Sequence, residues 1–201
     1  MSRILIVGAS GLIGSQLVTD LRDTADVVTA SLNDPAHPVD ISSPDAIADL
    51  LVEVGDVDAI ICTAGMVRFV PLADTTDDDW SYGLANKLMG QINLVRLGLP
   101  YLRPGGCIIV TTGVLAQHPM PGSSIVTTVN AAVEAFVSAA ALEVGDRARI
   151  AAVSPGWIAE SMVAMGMDPS AGVPVADVAA AYLDVLRGSD TGITVTTPRR
   201  S

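Results

Sequence analysis

A chain of 201 residues with 50% hydrophobic, 16% charged and 3% aromatic content suits one domain with a sizeable core and excludes disorder, which needs low hydrophobicity and high charge. The 11 basic and 22 acidic residues leave a net charge of −11, which argues against nucleic-acid partners and against an anionic membrane surface. Few aromatics also argue against a β-sandwich. Six β-rich runs are predicted at 3–7, 26–30, 59–62, 107–111, 150–153 and 193–197, with a very short additional strand at 39–41. Helical patterns lie between them at 12–23, 44–54, 77–99, 124–144 and 175–187. Ser43-Pro44 reads as an N-cap followed by proline at the first helical position. Asp77-Asp78-Asp79 sets carboxylates at the positive end of the third helix. Near-continuous apolar strands between helices predict an α/β fold with a doubly wound parallel sheet covered on both faces. One domain over 1–201 is expected, and 169–174 reads as a loop. No apolar run reaches the ~18 residues of a membrane helix. Cys62 and Cys107 read as buried free thiols, which fits a cytoplasmic setting.

Residues 3–14 read Arg-Ile-Leu-Ile-Val-Gly-Ala-Ser-Gly-Leu-Ile-Gly. Gly8, Gly11 and Gly14 therefore follow a strand and open a helix. The first glycine allows a tight bend, the second lets backbone approach a pyrophosphate, and the third allows close helix–strand packing. The helix N-terminus adds free N–H groups and the positive end of its dipole. The alternative is a plain glycine turn. The position on the first βα unit favours a Rossmann-type dinucleotide site.

Further strings follow in order: Val39-Asp40-Ile41-Ser42, Cys62-Thr63-Ala64-Gly65, the long helix from Trp80, Asn130-Ala131-Ala132 and Ser154-Pro155-Gly156-Trp157-Ile158. Together with the glycine loop they resemble the short-chain dehydrogenase/reductase superfamily over essentially the whole chain. The resemblance implies that Gly8, Ser10, Gly11, Leu12, Ile13 and Gly14 hold the pyrophosphate of NAD or NADP. It implies that Asp40 and Ile41 flank the adenine and that Ala64 and Gly65 lie beside the adenosine ribose. Cys62 and Thr63 replace two asparagines of the family turn. Pro155, Gly156 and Ile158 match the loop at the nicotinamide. Ser31, with Asn33, ends the second strand with neither the acid that favours NAD nor a base, and suits either cofactor. The crossover 31–38 is too short for a helix, and the substrate lid over 159–174 is brief. The helices 77–99 and 124–144 match the family's subunit interface, which implies a homodimer or homotetramer.

The family's tyrosine and lysine positions fall on Val126 and Asn130, its serine on Thr112 or Gly113, and its asparagine on Lys87. There is no tyrosine between Tyr101 and Tyr182, and Lys87 is the only lysine. Candidate proton donors are Lys87, Thr112, His118 and Glu160, and no metal set is expected. Asn86 adjoins Lys87, but one residue is ~100° of helix rotation, so the two are not expected to face one site. The first reading is an NAD(P)-dependent oxidoreductase acting on a small organic substrate with a non-standard active site. The alternative is a non-redox NAD(P)-binding sensor or partner subunit. A third is another reaction on the same scaffold.

Overall fold

The computed structural model describes residues 1–197, so the last four positions of the expected domain lie outside the described residues. Six strands, β1 (Ser2–Val7), β2 (Ala25–Ala30), β3 (Val57–Cys62), β4 (Leu102–Thr111), β5 (Arg149–Ser154) and β6 (Thr194–Thr196), form one sheet. Its order is β2-β1-β3-β4-β5-β6, with every neighbouring pair parallel. The helices are α1 (Leu12–Leu21), α2 (Pro44–Val54), α3 (Asp77–Gly83), α4 (Gly90–Gly98), α5 (Ser124–Val144), α6 (Ala159–Ala164) and α7 (Val175–Arg187).

The alternation of side chains along each strand separates two cores. Leu5, Val7, Ile60, Ile108 and Ile150 meet residues of α2, α4 and α5 on one face. Ile4, Ile6, Ile61, Ile109 and Val153 meet Leu17 and Leu21 of α1 and Val178 and Tyr182 of α7 on the other. Each such aliphatic side chain gains about 1.5–3 kcal/mol on full burial, which is why the strands read as apolar on both faces. The long α5 has the length and mean hydropathy of a membrane span. Val133 and Val137, however, are buried in the core beneath the sheet, so it serves here as a core helix.

The chain leaves β1 towards β2 and later returns to the other side of β1 as β3. That reversal opens a crevice at the carboxyl ends of the strands, where α/β sheets bind ligands.

Three elements differ from the sequence reading. The expected strand at 39–41 does not form; one parallel bridge joins Ser31 to Pro38 instead. The Asp40 carboxylate accepts Ser42 N–H and bends the chain, so Val39 and Ile41 alternate into the core without pairing. The expected helix 77–99 is interrupted by a wide π-type turn at Leu84–Met89. The lid carries α6, and a bridge between Ile158 and Val173 closes it at its base. Glu160 accepts the Val175 N–H at 2.9 Å and thereby caps α7.

Candidate functional site

The crevice at β1 and β3 is a cleft of about 260 Å³ lined by Gly8, Ser10, Gly11, Ser31, Asp40, Ile41, Thr63, Ala64, Gly65, Met66 and Asn86, among others. Gly8 has φ +91°, and a Cβ there would lie 2.6 Å from Ala64 N. A Cβ on Gly14 would lie 2.2 Å from the Gly8 carbonyl oxygen. Both glycines are therefore required by the local backbone. Thr63 Oγ1 donates to the Gly8 carbonyl at 3.1 Å and fastens the loop to the end of β3.

The first turn of α1 has no side-chain cap and no acidic residue. By contrast, Ser43 caps α2, and Thr76 with Asp79 forms a capping box on α3. The unpaired N–H groups at Leu12, Ile13 and Gly14 thus face outward at the positive end of a helix dipole. Ser31 Oγ lies in the same cleft, buried and without a partner. An elongated anion with a hydroxyl-bearing sugar beside it fits these features. Asp34 and Asp40 are occupied by their own turns. Asp34 accepts the N–H groups of Ala36 and His37, and Asp40 accepts from Ser42.

The second wall of the cleft comes from the π-type turn. Asn86 Oδ1 accepts Met66 N–H at 2.7 Å. The Lys87 stem lies over Gly65, where an added Cβ would meet Lys87 Cγ at 2.9 Å. Both neighbours therefore face the 64–66 segment, contrary to the expectation from α-helical rotation. The wide turn supplies the difference, and such turns recur at functional sites. Lys87 Nζ donates to the Thr112 carbonyl at 3.2 Å. Burial lowers the Lys87 ammonium to about 8, while the neighbouring Cys62 acts weakly in the opposite direction.

Thr112 presents its backbone rather than its hydroxyl. Its Oγ1 lies 3.1 Å from the Asn130 carbonyl and 3.0 Å from Glu134 Oε1 on α5, so its proton is shared between those acceptors. Gln117 also donates to Glu134 and ties the loop after β4 to α5. His118 is exposed on that loop, outside the cleft lining, and its ring has no hydrogen-bond partner among the described residues. Pro155, Gly156 and Ile158 sit beyond β5. The Pro155 carbonyl accepts Val114 N–H and Gly156 N–H donates to Thr197 Oγ1. Phe69 and Trp157 bring the loops after β3 and β5 together, with ring centroids 6.3 Å apart.

Two residues were given no binding role by the sequence. Asn130 is 2% exposed; its Nδ2 donates to the Gly113 carbonyl at 3.4 Å and its Oδ1 has no partner. Ser154 Oγ, at the end of β5, is likewise buried and unpaired. Nothing in the one-dimensional pattern marks an orphaned atom; it emerges only from the packing of α5 on the sheet.

The family model described as enoyl-(acyl carrier protein) reductase matches residues 8–182. The chain belongs to the short-chain dehydrogenase/reductase superfamily. The solved structure of protein lin1944 from Listeria innocua is 34% identical, over 98% of this chain and 100% of that one, with a TM-score of 0.93. A small-chain dehydrogenase solved in complex with NADPH is 26% identical over 97% and 95% of the two chains, with a TM-score of 0.87. The hydroxynaphthalene reductase of Aspergillus fumigatus is 26% identical, over 63% of this chain and 48% of its own length. The chain spans about half the length of the curated reductases it matches first.

Proposed function

We propose that residues 1–201 form a single NAD(P)-dependent oxidoreductase domain that acts on a small, largely apolar carbonyl or conjugated carbonyl compound. The observation that carries this reading is the junction of two features in one cleft. The glycine cradle and uncapped α1 suit a pyrophosphate, and the Lys87 stem packs from the π-type turn against Gly65, which lines that cleft, with its Nζ on the Thr112 carbonyl beyond it. NADPH in a relative that matches nearly the whole chain supports the cofactor class. The absence of an acid or base at Ser31 leaves both NAD and NADP as cofactors.

When bound, the nicotinamide supplies or accepts the hydride. The chain's own part is to hold the ligands and to manage the proton. Gly8, Ser10, Gly11, Leu12, Ile13 and Gly14 form the pyrophosphate cradle. Ser31, Asp40 and Ile41 bound the adenosine end, and Ala64 with Gly65 form the floor. Pro155, Gly156 and Ile158 bound the far end. Lys87 keeps one N–H on the Thr112 carbonyl and has two further N–H donors for a substrate oxygen. An ammonium with a pKa of about 8 is charged at neutral pH yet close enough to give up its proton. Thr112 acts through its carbonyl, as the group that positions Lys87. Met66, Phe69 and Trp157 give the rim an apolar character suited to such a substrate.

The proposal is tested by titrating NADH and NADPH into the protein and then assaying NAD(P)H oxidation over a panel of ketones, quinones and enones. Turnover that survives Lys87→Met unchanged eliminates the lysine as donor. One observation favours the non-redox alternative: the Thr112 hydroxyl is committed to α5 and Val126 offers no proton. Tight nucleotide binding with no oxidation of any panel member decides for that alternative. The cytoplasmic setting and the homo-oligomer belong to the same proposal. The long helix α5 leaves Leu142 85% exposed and offers small residues at Ala131, Ala135 and Ala139 for close helix approach. A monomeric mass by light scattering at micromolar concentration would count against the oligomer.

A further inference from the structure

Three loops meet at the carboxyl end of the sheet. The loop after β3 bonds to the loop after β4, where Val70 N–H donates to the Gly122 carbonyl at 3.1 Å. It meets the loop after β5 through the Phe69 and Trp157 rings, which are tilted by 34°. Large apolar side chains stand exposed on all three: Met66 and Phe69, Met120, and Met165 with Met167 on the lid. Thioethers and an adjustable ring pair suit apolar bodies of varied shape. Charge then decides what such a body can carry. Among the described residues, only Arg68 and Lys87 bring a cationic group to this end of the sheet. The other described arginines begin strands, as Arg3, Arg103 and Arg149 do, or lie in or just past the last turns of helices, at the amino end of the sheet. Lys87 is the donor for the reacting oxygen in the reading above. Arg68, next to Phe69, is held elsewhere. Its Nη1 donates to Asp78 Oδ2 at 2.9 Å and to Asp79 Oδ1 at 2.8 Å, and its guanidinium lies 4.7 Å from the centre of the Tyr82 ring. Asp79 in turn accepts the Thr76 N–H and hydroxyl. The Arg68 guanidinium leads in lowering the Asp79 carboxyl to about 2, so the pair stays charged at neutral pH. One cation between two carboxylates leaves the cluster anionic, in a chain whose net charge is already −11.

We propose that the substrate is a free, uncharged carbonyl or enone rather than a carboxylate, a phosphate ester or a carrier-bound thioester, and that Asp78 and Asp79 set this specificity by withholding Arg68 from the mouth. The inference rests on the functional reading above and adds to it the charge of the substrate. A carboxylate set among Met66, Phe69 and Trp157 loses water and gains no partner, which is unfavourable. The phosphates of a CoA or carrier thioester likewise find no free cation there among the described residues. Anionic substrates are therefore rejected by an unpaired charge, which discriminates more sharply than a missing apolar contact. Asp78 and Asp79 act through Arg68, as positioning residues.

The experiment measures kcat/KM for NAD(P)H oxidation with matched probes. Each compound turned over in the panel above is paired with an analogue that carries a carboxylate remote from the carbonyl, such as 4-phenylbut-3-en-2-one with its para-carboxylate. Crotonyl-CoA is paired with the crotonyl thioester of N-acetylcysteamine, which keeps the reacting group and drops the charged carrier. Wild type is expected to favour the uncharged member of each pair by at least about tenfold. Asp78→Asn, alone and with Asp79→Asn, loosens Arg68 and is expected to raise the ratio of carboxylate to uncharged turnover about two- to fivefold, the worth of an exposed ion pair. Adding Arg68→Met to the double variant is expected to remove that gain, which a merely loosened α3 would not do. Wild type that prefers the carboxylate or the CoA member overturns the inference and leaves the oxidoreductase reading standing. A ratio indifferent to the aspartate replacements, or a gain that survives Arg68→Met, overturns the role given to the cluster. No oxidation with any panel member or probe overturns the functional reading and this inference together.

Discussion

Replacing Gly14 with alanine separates two roles that the glycine loop combines. The added Cβ would stand 2.2 Å from the Gly8 carbonyl oxygen and 2.8 Å from Ala9 Cα. To reach even a tight 3.0 Å contact, helix and loop must part by about 0.8 Å. The loop has little freedom to yield, because the Gly8 carbonyl also accepts Gly11 N–H at 3.0 Å and Thr63 Oγ1 at 3.1 Å. Overpacking of this kind costs about 1–3 kcal/mol, or roughly 2–12 °C in melting temperature for a chain of this size. Gly11 is the contrasting case. Its φ is −76° and a Cβ would meet only the Gly8 oxygen, at 3.3 Å. Gly11→Ala is therefore expected to melt within ~2 °C of wild type while obstructing the pyrophosphate. Thermal unfolding followed by circular dichroism and NADPH titration read the two effects independently. If Gly14→Ala melts like wild type, or if Gly11→Ala binds NADPH as tightly, the assignment of roles within the loop is wrong.

Lys87→Met is expected to slow turnover about 10²-fold, and the wild-type rate is expected to fall as pH rises through about 8. In the wild type the folded-state pKa lies below the ordinary lysine value of 10.5, so between about 8 and 10.5 the unfolded chain holds more protons and stability rises with pH. Melting curves of Lys87→Met over the same interval should lack that rise; an identical rise would exclude Lys87 as its source. Asn86→Ala releases Met66 N–H and is expected to cost about 1 kcal/mol and to weaken NADPH binding, which urea unfolding and titration will show. Gln91 receives Thr111 N–H and donates to its carbonyl in a fully buried pair. Gln91→Leu is thus expected to cost about 2–4 kcal/mol in urea unfolding. Tyr182→Phe is expected to cost less, because Thr111 Oγ1 still donates to the Cys62 carbonyl.

The strands and the glycine loop were legible because each rests on a local rule: apolar runs of β-branched residues, and glycine where backbone meets backbone. All six strand cores, the cap at Ser43 and the carboxylates of Asp77, Asp78 and Asp79 in the first turn of α3 follow from such rules. The additional strand at 39–41 misled because Val39 and Ile41 bury like strand residues while Asp40 turns the backbone. The rotation argument about Asn86 and Lys87 assumed a regular helix, and nothing in Leu84-Ala85-Asn86-Lys87-Leu88-Met89 announces a wider turn. The commitment of the Thr112 hydroxyl to Glu134, and the loneliness of Asn130 Oδ1, arise between elements 18 to 22 residues apart in sequence. They are properties of packing, which periodicity does not encode.

The turn at Leu84–Met89 also has a consequence for how this chain tolerates change in length. A π-type turn stores one surplus residue in an otherwise regular rod, so α3 and α4 are offset in phase by about 100°. Each half can therefore keep its own buried face, Gly83 against Ile125 and Leu94 in the core beneath β3. Deleting a single residue within the turn would let the rod close into continuous α-helix and cancel the offset. Asn86 and Lys87 would then swing to different sides of the helix. A wall of the cleft would be lost although every side chain that forms it remained in the sequence.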